Sequence, residues 1–174
     1  LPICHERYLY RGYLQIAALD MLDNRNVLRT LLWDPLEPMA TRPLALVQGA
    51  SLYCYGVDFN KNVSEVFDAQ GTIAAAYDYS PYGAVTGTGS LVQPVQWSAE
   101  MHDEDFALVY YNYRYYNPRD GRWINRDPIA EQGGWNSYSF VGNNPIDSFD
   151  INGQNAMARA VPFAAGAAAV DGLL

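Results

Sequence analysis

The chain has 174 residues, of which 49% are hydrophobic, enough for one compact domain with a real core but not comfortably for two. Its 11 Lys and Arg against 19 Asp and Glu leave a net charge of −8. That balance excludes a binder of the nucleic-acid backbone, which needs a basic face.

Fourteen Tyr, 14 Gly and 10 Pro point to β structure with many turns. Two cysteines, Cys4 and Cys54, do not make a disulfide framework in a chain this long; free or buried thiols are the simpler reading, with pairing open in an oxidising compartment. Cys4-His5 beside Cys54 and His102 lacks the ligand spacing of a zinc site, so neither a metal nor a cofactor is expected. The chain starts at Leu1, without a basic segment followed by an apolar one, and is expected to be a piece of a longer protein whose targeting signal lies elsewhere.

In chain order, residues 1–34 carry two apolar runs, Tyr8 to Leu19 and Val27 to Trp33. The turn-type cluster Asp23-Asn24-Arg25-Asn26 divides them, which predicts a hairpin. Leu14 to Leu22 is also compatible with helix by residue type, and the flanking Tyr, Val, Thr and Trp favour strand. Residues 34–51, with Pro35, Pro38 and Pro43, read as a loop or edge segment with a short strand at Leu44-Ala45-Leu46-Val47. Residues 52–90 have the clearest strand pattern. Leu52-Tyr53-Cys54-Tyr55 and the run Val63 to Phe67 are bounded by turns at Asn60-Lys61-Asn62 and Asp68-Ala69-Gln70-Gly71. Ile73, Ala75, Tyr77 and Tyr79 then fall on one face at period two. Ser80-Pro81-Tyr82-Gly83 is a further turn. Tyr55 and Tyr77, 22 positions apart, head comparable units, the mark of a degenerate two-strand repeat.

Residues 91–107 read as a polar connection, and Asp103-Glu104-Asp105 as a solvated turn rather than a calcium loop. Residues 108–125 predict a strand with Tyr111, Tyr113 and Tyr115 on one face and Tyr110, Asn112, Arg114 and Tyr116 on the other. A turn at Asn117-Pro118-Arg119-Asp120-Gly121 and a return strand from Arg122 follow. Such a tyrosine stripe serves packing more often than ligand stacking. Residues 155–174 turn Ala-rich. The 11 uncharged residues from Ala160 to Val170 fall short of the roughly 20 of a membrane span, leaving a linker, a short helix or the start of a following region.

Gly71 to Gly83, and far more specifically Tyr110 to Gly153, resemble the Rhs/YD-repeat proteins. The later stretch is similar to their repeat-associated core domain. The motif residues are Tyr115-Tyr116-Asn117-Pro118, Gly121-Arg122-Trp123, Arg126-Asp127-Pro128, Gly133-Gly134, Tyr138, Asn143-Asn144-Pro145, and Asp150 with Gly153. The resemblance implies a mainly β fold: repeated hairpins over 1–107 forming part of a spiral β-sheet shell, a core plug over 108–154, and an Ala-rich linker or variable region over 155–174. It implies a bacterial secreted or cell-surface protein that encapsulates a C-terminal toxin or effector region of the same polypeptide. Secretion-apparatus proteins or a target-cell surface are further partners, and a carbohydrate or cell-surface binding module is a third reading.

Self-cleaving relatives use two aspartates in Asp-Pro-x-Gly elements and cut after a leucine that follows the second. The resemblance carries these roles to Asp127 and Asp150, with Arg126 holding or orienting the charged form and Gln154–Asn155 as the bond to cut. Two carboxylates held close cannot both ionise easily, so one serves as base toward water and the other as acid. The sequence departs from the pattern at Ala130, at Ile151 and at Gln154, where the leucine would stand. The structural alternative makes both aspartates turn residues. No other catalytic group and no phosphate loop stands out, because His5 and His102 lack a nucleophile and the glycines lack a following Lys-Ser/Thr.

Overall fold

Short turns, several of them polar clusters, cut the first ninety residues into eight strands. The computed structural model describes residues 5–36, 42–154 and 156–158. Strands β1 (Glu6–Arg11), β2 (Leu14–Asp20), β3 (Asn26–Trp33), β4 (Pro43–Gln48), β5 (Ser51–Val57), β6 (Val63–Asp68), β7 (Ile73–Tyr79) and β8 (Val85–Gly89) form one antiparallel sheet in sequence order. Aspartates close the turns by accepting amide hydrogens from the chain just ahead. Asp58 Oδ1 accepts from the amides of Asn60 (2.7 Å) and Asn62 (2.8 Å), and Asp68 Oδ1 from those of Gln70 (2.9 Å) and Thr72 (2.8 Å).

Three expectations change here. The run Tyr8 to Leu19 is two strands, because Gly12 takes φ +63° and turns the chain between β1 and β2. The region with a helical alternative is therefore strand β2. The proline-rich segment holds a full strand, β4, since Pro43 stands at its first position, where a missing amide hydrogen is tolerated. Ile73 leaves its expected face: the register shifts at Val66/Phe67, and Ile73 stays exposed while Ala75 is buried.

The polar connection is the largest revision. Gln93 and residues 95–100 are buried against the sheet, and Val95 and Ala99 join Leu31, Leu46, Val63, Val66 and Ala75 in the first core. The Gln93 side chain there is satisfied rather than solvated. Tyr55 Oη donates to Gln93 Oε1 (3.0 Å), and Gln93 Nε2 donates to Tyr77 Oη (3.1 Å) and to the Val95 carbonyl (2.7 Å). The Val95 amide returns a bond to Gln93 Oε1 (2.8 Å). The two tyrosines of the 22-residue spacing thus sit two strands apart and grip one amide side chain.

Beyond the cover, β9 (Met101–Asp103), β10 (Leu108–Tyr110), β11 (Tyr115–Asn117) and β12 (Arg122–Trp123) form a second antiparallel sheet in the order β12-β11-β10-β9. The acidic cluster is a turn, with Asp103 Oδ1 accepting from the amides of Asp105 and Phe106 (both 3.1 Å). Strands β13 (Ser148–Asp150) and β14 (Ala156–Ala158) pair at the end of the described chain. Trp97, Val109, Tyr111, Tyr116, Trp123, Phe140 and Val141 form a second core. Its rings meet mostly edge to face, as Tyr111 and Trp123 do at 5.1 Å and 83°. Trp97 couples the two sheets through Tyr79, 5.7 Å away. Gly83 makes room for it: φ is +85° there, and a Cβ would lie 2.4 Å from the indole.

Gln93→Leu keeps the side-chain bulk but leaves two tyrosine hydroxyls and both Val95 backbone groups without that partner. We expect a loss of roughly 2–4 kcal/mol, given about 1–3 kcal/mol for each buried polar group left unsatisfied. A urea midpoint equal to that of the wild type would show that the amide network contributes nothing.

Candidate functional site

The site begins with a reversal in the aromatic run. Residues 108–116 are not one strand. Asn112 adopts φ +63°, the Tyr111 amide donates to the Arg114 carbonyl (2.9 Å), and β10 turns into β11 within four residues. Asn tolerates that left-handed conformation better than most residues. The reversal breaks the expected face pattern: Tyr111 and Tyr116 are buried together, while Tyr113 and Tyr115 are exposed. It also drives Arg114 inward, where it is 4% exposed and its guanidinium carbon lies 3.9 Å from the centre of the Trp123 ring.

A buried guanidinium must be matched by acceptors. Three come from two separate parts of the chain. Asp127 Oδ2 accepts from Arg114 Nη1 at 2.8 Å, Asp150 Oδ2 lies 3.5 Å from Nη2, and the Gly153 carbonyl accepts from Nε at 2.5 Å. Each aspartate is fixed by the backbone through its other oxygen. Asp127 Oδ1 accepts from the Ile129 amide (2.9 Å). Asp150 Oδ1 accepts from the amides of Gly153 (2.7 Å), Asn152 (3.1 Å) and Gln154 (3.3 Å). Close packing seals the cluster. A Cβ on Gly133 would lie 2.5 Å from Asp127 Oδ2, so only glycine lets that loop pass the carboxylate. Gly153, at φ +82°, passes 3.0 Å from the Tyr111 carbonyl by the same measure.

The charges do not balance. One guanidinium faces two carboxylates, Asp127 and Asp150, which are 7% and 4% exposed. Burial raises the Asp150 carboxyl above its ordinary value, although the amides of residues 152–154 and Arg114 oppose the shift. Burial likewise lowers the Arg114 guanidinium from its ordinary value, against the pull of both aspartates. Arg114 contacts Asp127 at 2.8 Å and Asp150 at 3.5 Å, so the guanidinium lies closer to Asp127.

Both sequence-predicted aspartates therefore converge on one point. Arg126 does not join them. It is exposed, because the strand end at Trp123 turns residues 124–126 outward, and Arg114 occupies the place between the carboxylates. Gln154 is half-buried and donates its amide to Asp150, whereas Asn155 lies outside the described residues. Cys4 also lies outside them; Cys54 is an exposed free thiol. Burial lowers the His102 imidazole from its ordinary value. Among the described residues no three or more His, Cys, Asp or Glu side chains group for a metal. Arg114 escapes sequence reasoning as a site residue, and Gly133 stands in the motif run without a role assigned to it. The available signal for Arg114 is a lone cation inside an aromatic run, which can be buried only if acids elsewhere come to meet it.

No protein-family model matches the sequence. Several toxin proteins are related to it. Toxin protein Tse5 of Pseudomonas aeruginosa is 39% identical over 61 residues, 35% of this chain and 5% of that protein. Double-stranded DNA deaminase toxin A of Burkholderia cenocepacia is 34% identical over 101 residues, 53% of this chain and 7% of that one. Toxin subunit YenC2 of Yersinia entomophaga is 36% identical over 92 residues, 49% and 9%. The chain thus spans less than a tenth of each of these toxins, and 37% of an Escherichia coli relative 34% identical to it. A crystal structure of TcdB2-TccC3-Cdc42 shares the fold, with TM-score 0.67 and 23% identity over 86% of this chain and 8% of that chain. A Tc holotoxin pore of Photorhabdus luminescens gives TM-score 0.65 and 21% identity over 90% and 8%. At those identities the structural likeness establishes the fold alone: a mainly β, open antiparallel hairpin sheet. With the toxin relatives beside it, the chain is an Rhs-related segment.

Two outcomes follow from the cluster. Arg114→Met removes the cation but leaves both carboxylates buried, and it should cost roughly 3–5 kcal/mol, the usual penalty for stranding a buried charge; denaturant titration reads it directly. Asp150 sets a pH dependence. Its folded value is raised, so its contribution is fully present below the unfolded value, near 3.8, and is lost as pH rises through the folded value. Melting temperature should therefore carry a component that falls with rising pH above that range, and Asp150→Asn should remove it. Parallel pH profiles for the two proteins would refute the assignment.

Proposed function

We propose that this chain is the closing part of a β-sheet shell that encloses a C-terminal effector region of the same polypeptide. Residues 1–107 supply wall hairpins, 108–154 the plug, and 155–174 the lead into the enclosed region. The observation that carries this reading is the fate of residues 150–154. They do not trail off the surface. Asp150 collects three amides of its own loop and Arg114 holds the Gly153 carbonyl, so the chain reaches its last described segment from inside the plug. The toxin relatives support a toxin-associated role. A secreted or cell-surface location, with secretion-apparatus proteins or a target-cell surface as partners, goes with it. Among the described residues no helix is long and apolar enough to cross a membrane.

A second reading, a single-turnover aspartyl autoprotease, has one observation in its favour: Asp127 and Asp150 meet beside a carbonyl polarised by Arg114. Against it, the guanidinium contacts the Oδ2 atom of both aspartates, whereas a proton-sharing pair needs the carboxylates on each other. Both are nearly closed to water. The plug reading is therefore the better supported.

One experiment separates the readings. The full-length protein is purified and weighed, with Asp127→Asn and Asp150→Asn beside it, and then exposed to protease. A shell predicts an intact mass in all three and a protease-resistant region after residue 154. A cut after Gln154 in wild type alone would establish the autoprotease. Rapid digestion of that region would overturn the shell.

A further inference from the structure

Asn152-Gly153 is the one Asn-Gly pair in the sequence, and it sits in the loop that Asp150 and Arg114 hold. Its peptide unit is polarised at both ends. The Gly153 amide donates to Asp150 Oδ1 (2.7 Å). The Asn152 main-chain carbonyl accepts from the Tyr113 amide (3.2 Å), which it shares with the Tyr111 carbonyl (2.6 Å). A carboxylate on the N–H and a donor on the carbonyl both favour removal of the amide proton.

The Asn152 side chain is set beside that nitrogen. Its Oδ1 accepts from the Gln154 amide (3.2 Å), which curls the carboxamide back over residue 153, and its Nδ2 donates to Gln154 Oε1 (3.1 Å). Gly153, at φ +82°, carries no side chain to crowd the approach.

We propose that Asn152-Gly153 is a self-modification site that closes to a succinimide, with ionised Asp150 as the base. The Gly153 nitrogen gives its proton to Asp150 and attacks Asn152 Cγ, while the Gln154 amide stabilises the charge that develops on Oδ1. The N–Cγ bond forms and the Cγ–Nδ2 bond breaks. Nδ2 leaves as ammonia, taking the proton back from Asp150. Water then adds to either carbonyl of the ring and leaves aspartate or isoaspartate at position 152. The polypeptide stays in one piece, which separates this reaction from autoproteolysis, and ring closure itself needs no water.

The modification acts on the cluster. Ring closure removes the Gly153 N–H and with it the shortest of the three amide bonds to Asp150. Hydrolysis then adds a third carboxylate beside one guanidinium that already faces two. Both changes loosen the loop over residues 150–154.

The test incubates the whole protein beside a free peptide of residues 147–158 at one pH and temperature. Intact mass reads the loss of ammonia, and peptide mapping with isoaspartate methyltransferase labelling locates the product. Residue 152 should convert faster in the folded protein than in the peptide. Asp150→Asn keeps an oxygen for the Gly153 amide but removes the base. It should slow conversion about a hundredfold, the lower end of the range for positioned acid–base catalysis, whereas simple fraying of the loop would quicken it. Asn152→Gln, which needs a six-membered ring, should stay unmodified, and converted wild type should melt below the unconverted protein. Slower conversion in the folded wild type than in the peptide, or conversion in Asp150→Asn as fast as in wild type, would overturn the proposal. Equal melting temperatures would overturn the loosening of the loop. None of these outcomes bears on the shell reading.

Discussion

Everything at the closing end depends on burying one guanidinium. Arg114 sits over Trp123 in a core of Tyr111, Tyr116 and Phe140, where water cannot solvate it. Its donors must be met by protein, and they are met by residues 127, 150 and 153. One side chain therefore fixes the relative positions of the hairpin at 110–115, the loop after Trp123 and the chain's last described turn. Apolar packing could hold the same segments with comparable energy, since a buried ion pair gives little net stability over well-packed apolar groups. What the guanidinium adds is direction: three donors in a plane accept only one arrangement of three acceptors.

The sheet and the plug are coupled by a different device. A meander with one bare apolar face needs a cover, and here the cover is a strap of polar composition. Gln93 makes that possible by exchanging four hydrogen bonds with Tyr55, Tyr77 and the Val95 backbone. Past it, the strap delivers Trp97 to the second core against Tyr79 and then enters β9. The two sheets are joined by one continuous run of residues 91–103.

Much of the strand pattern was legible. The Asp-x-Asn and Asp-x-Gln turns at 58–62 and 68–72 carry their chemistry in the residue types, because a short carboxylate reaching the amides two and four residues ahead is a local event. The 22-residue spacing of Tyr55 and Tyr77 likewise marks two strands of one face. The failures share a cause. The turns at Gly12 and Asn112 and the register shift before Ile73 interrupt apolar runs without a polar cluster to announce them, and period counting reads straight across. The burial of residues 93–100 was invisible because composition reports polarity, while the fold satisfies Gln93 with partners 16 to 38 positions away. At the site, both aspartates were legible through the motif run. Arg114 was not, because its significance lies in partners that only the fold brings together.

The cluster's charge count also limits what it can do. With two carboxylates and one cation, the fully ionised form carries an uncompensated negative charge in a dry interior. Burial raises the Asp150 carboxyl toward its protonated form, and its Oδ2 has the longer contact with Arg114. A proton there would be held against a guanidinium rather than handed to a second carboxylate, so the geometry suits a latch better than an acid–base couple. Hydrolysis would also need a water, and the chain packs closely at Gly133 and Gly153, where even a methyl group meets Asp127 or the Tyr111 carbonyl. A cut at this place would require the 150–154 loop to open first, which means breaking the Arg114–Gly153 bond that holds it. In this geometry, the contact that polarises the carbonyl is the same contact that closes the plug.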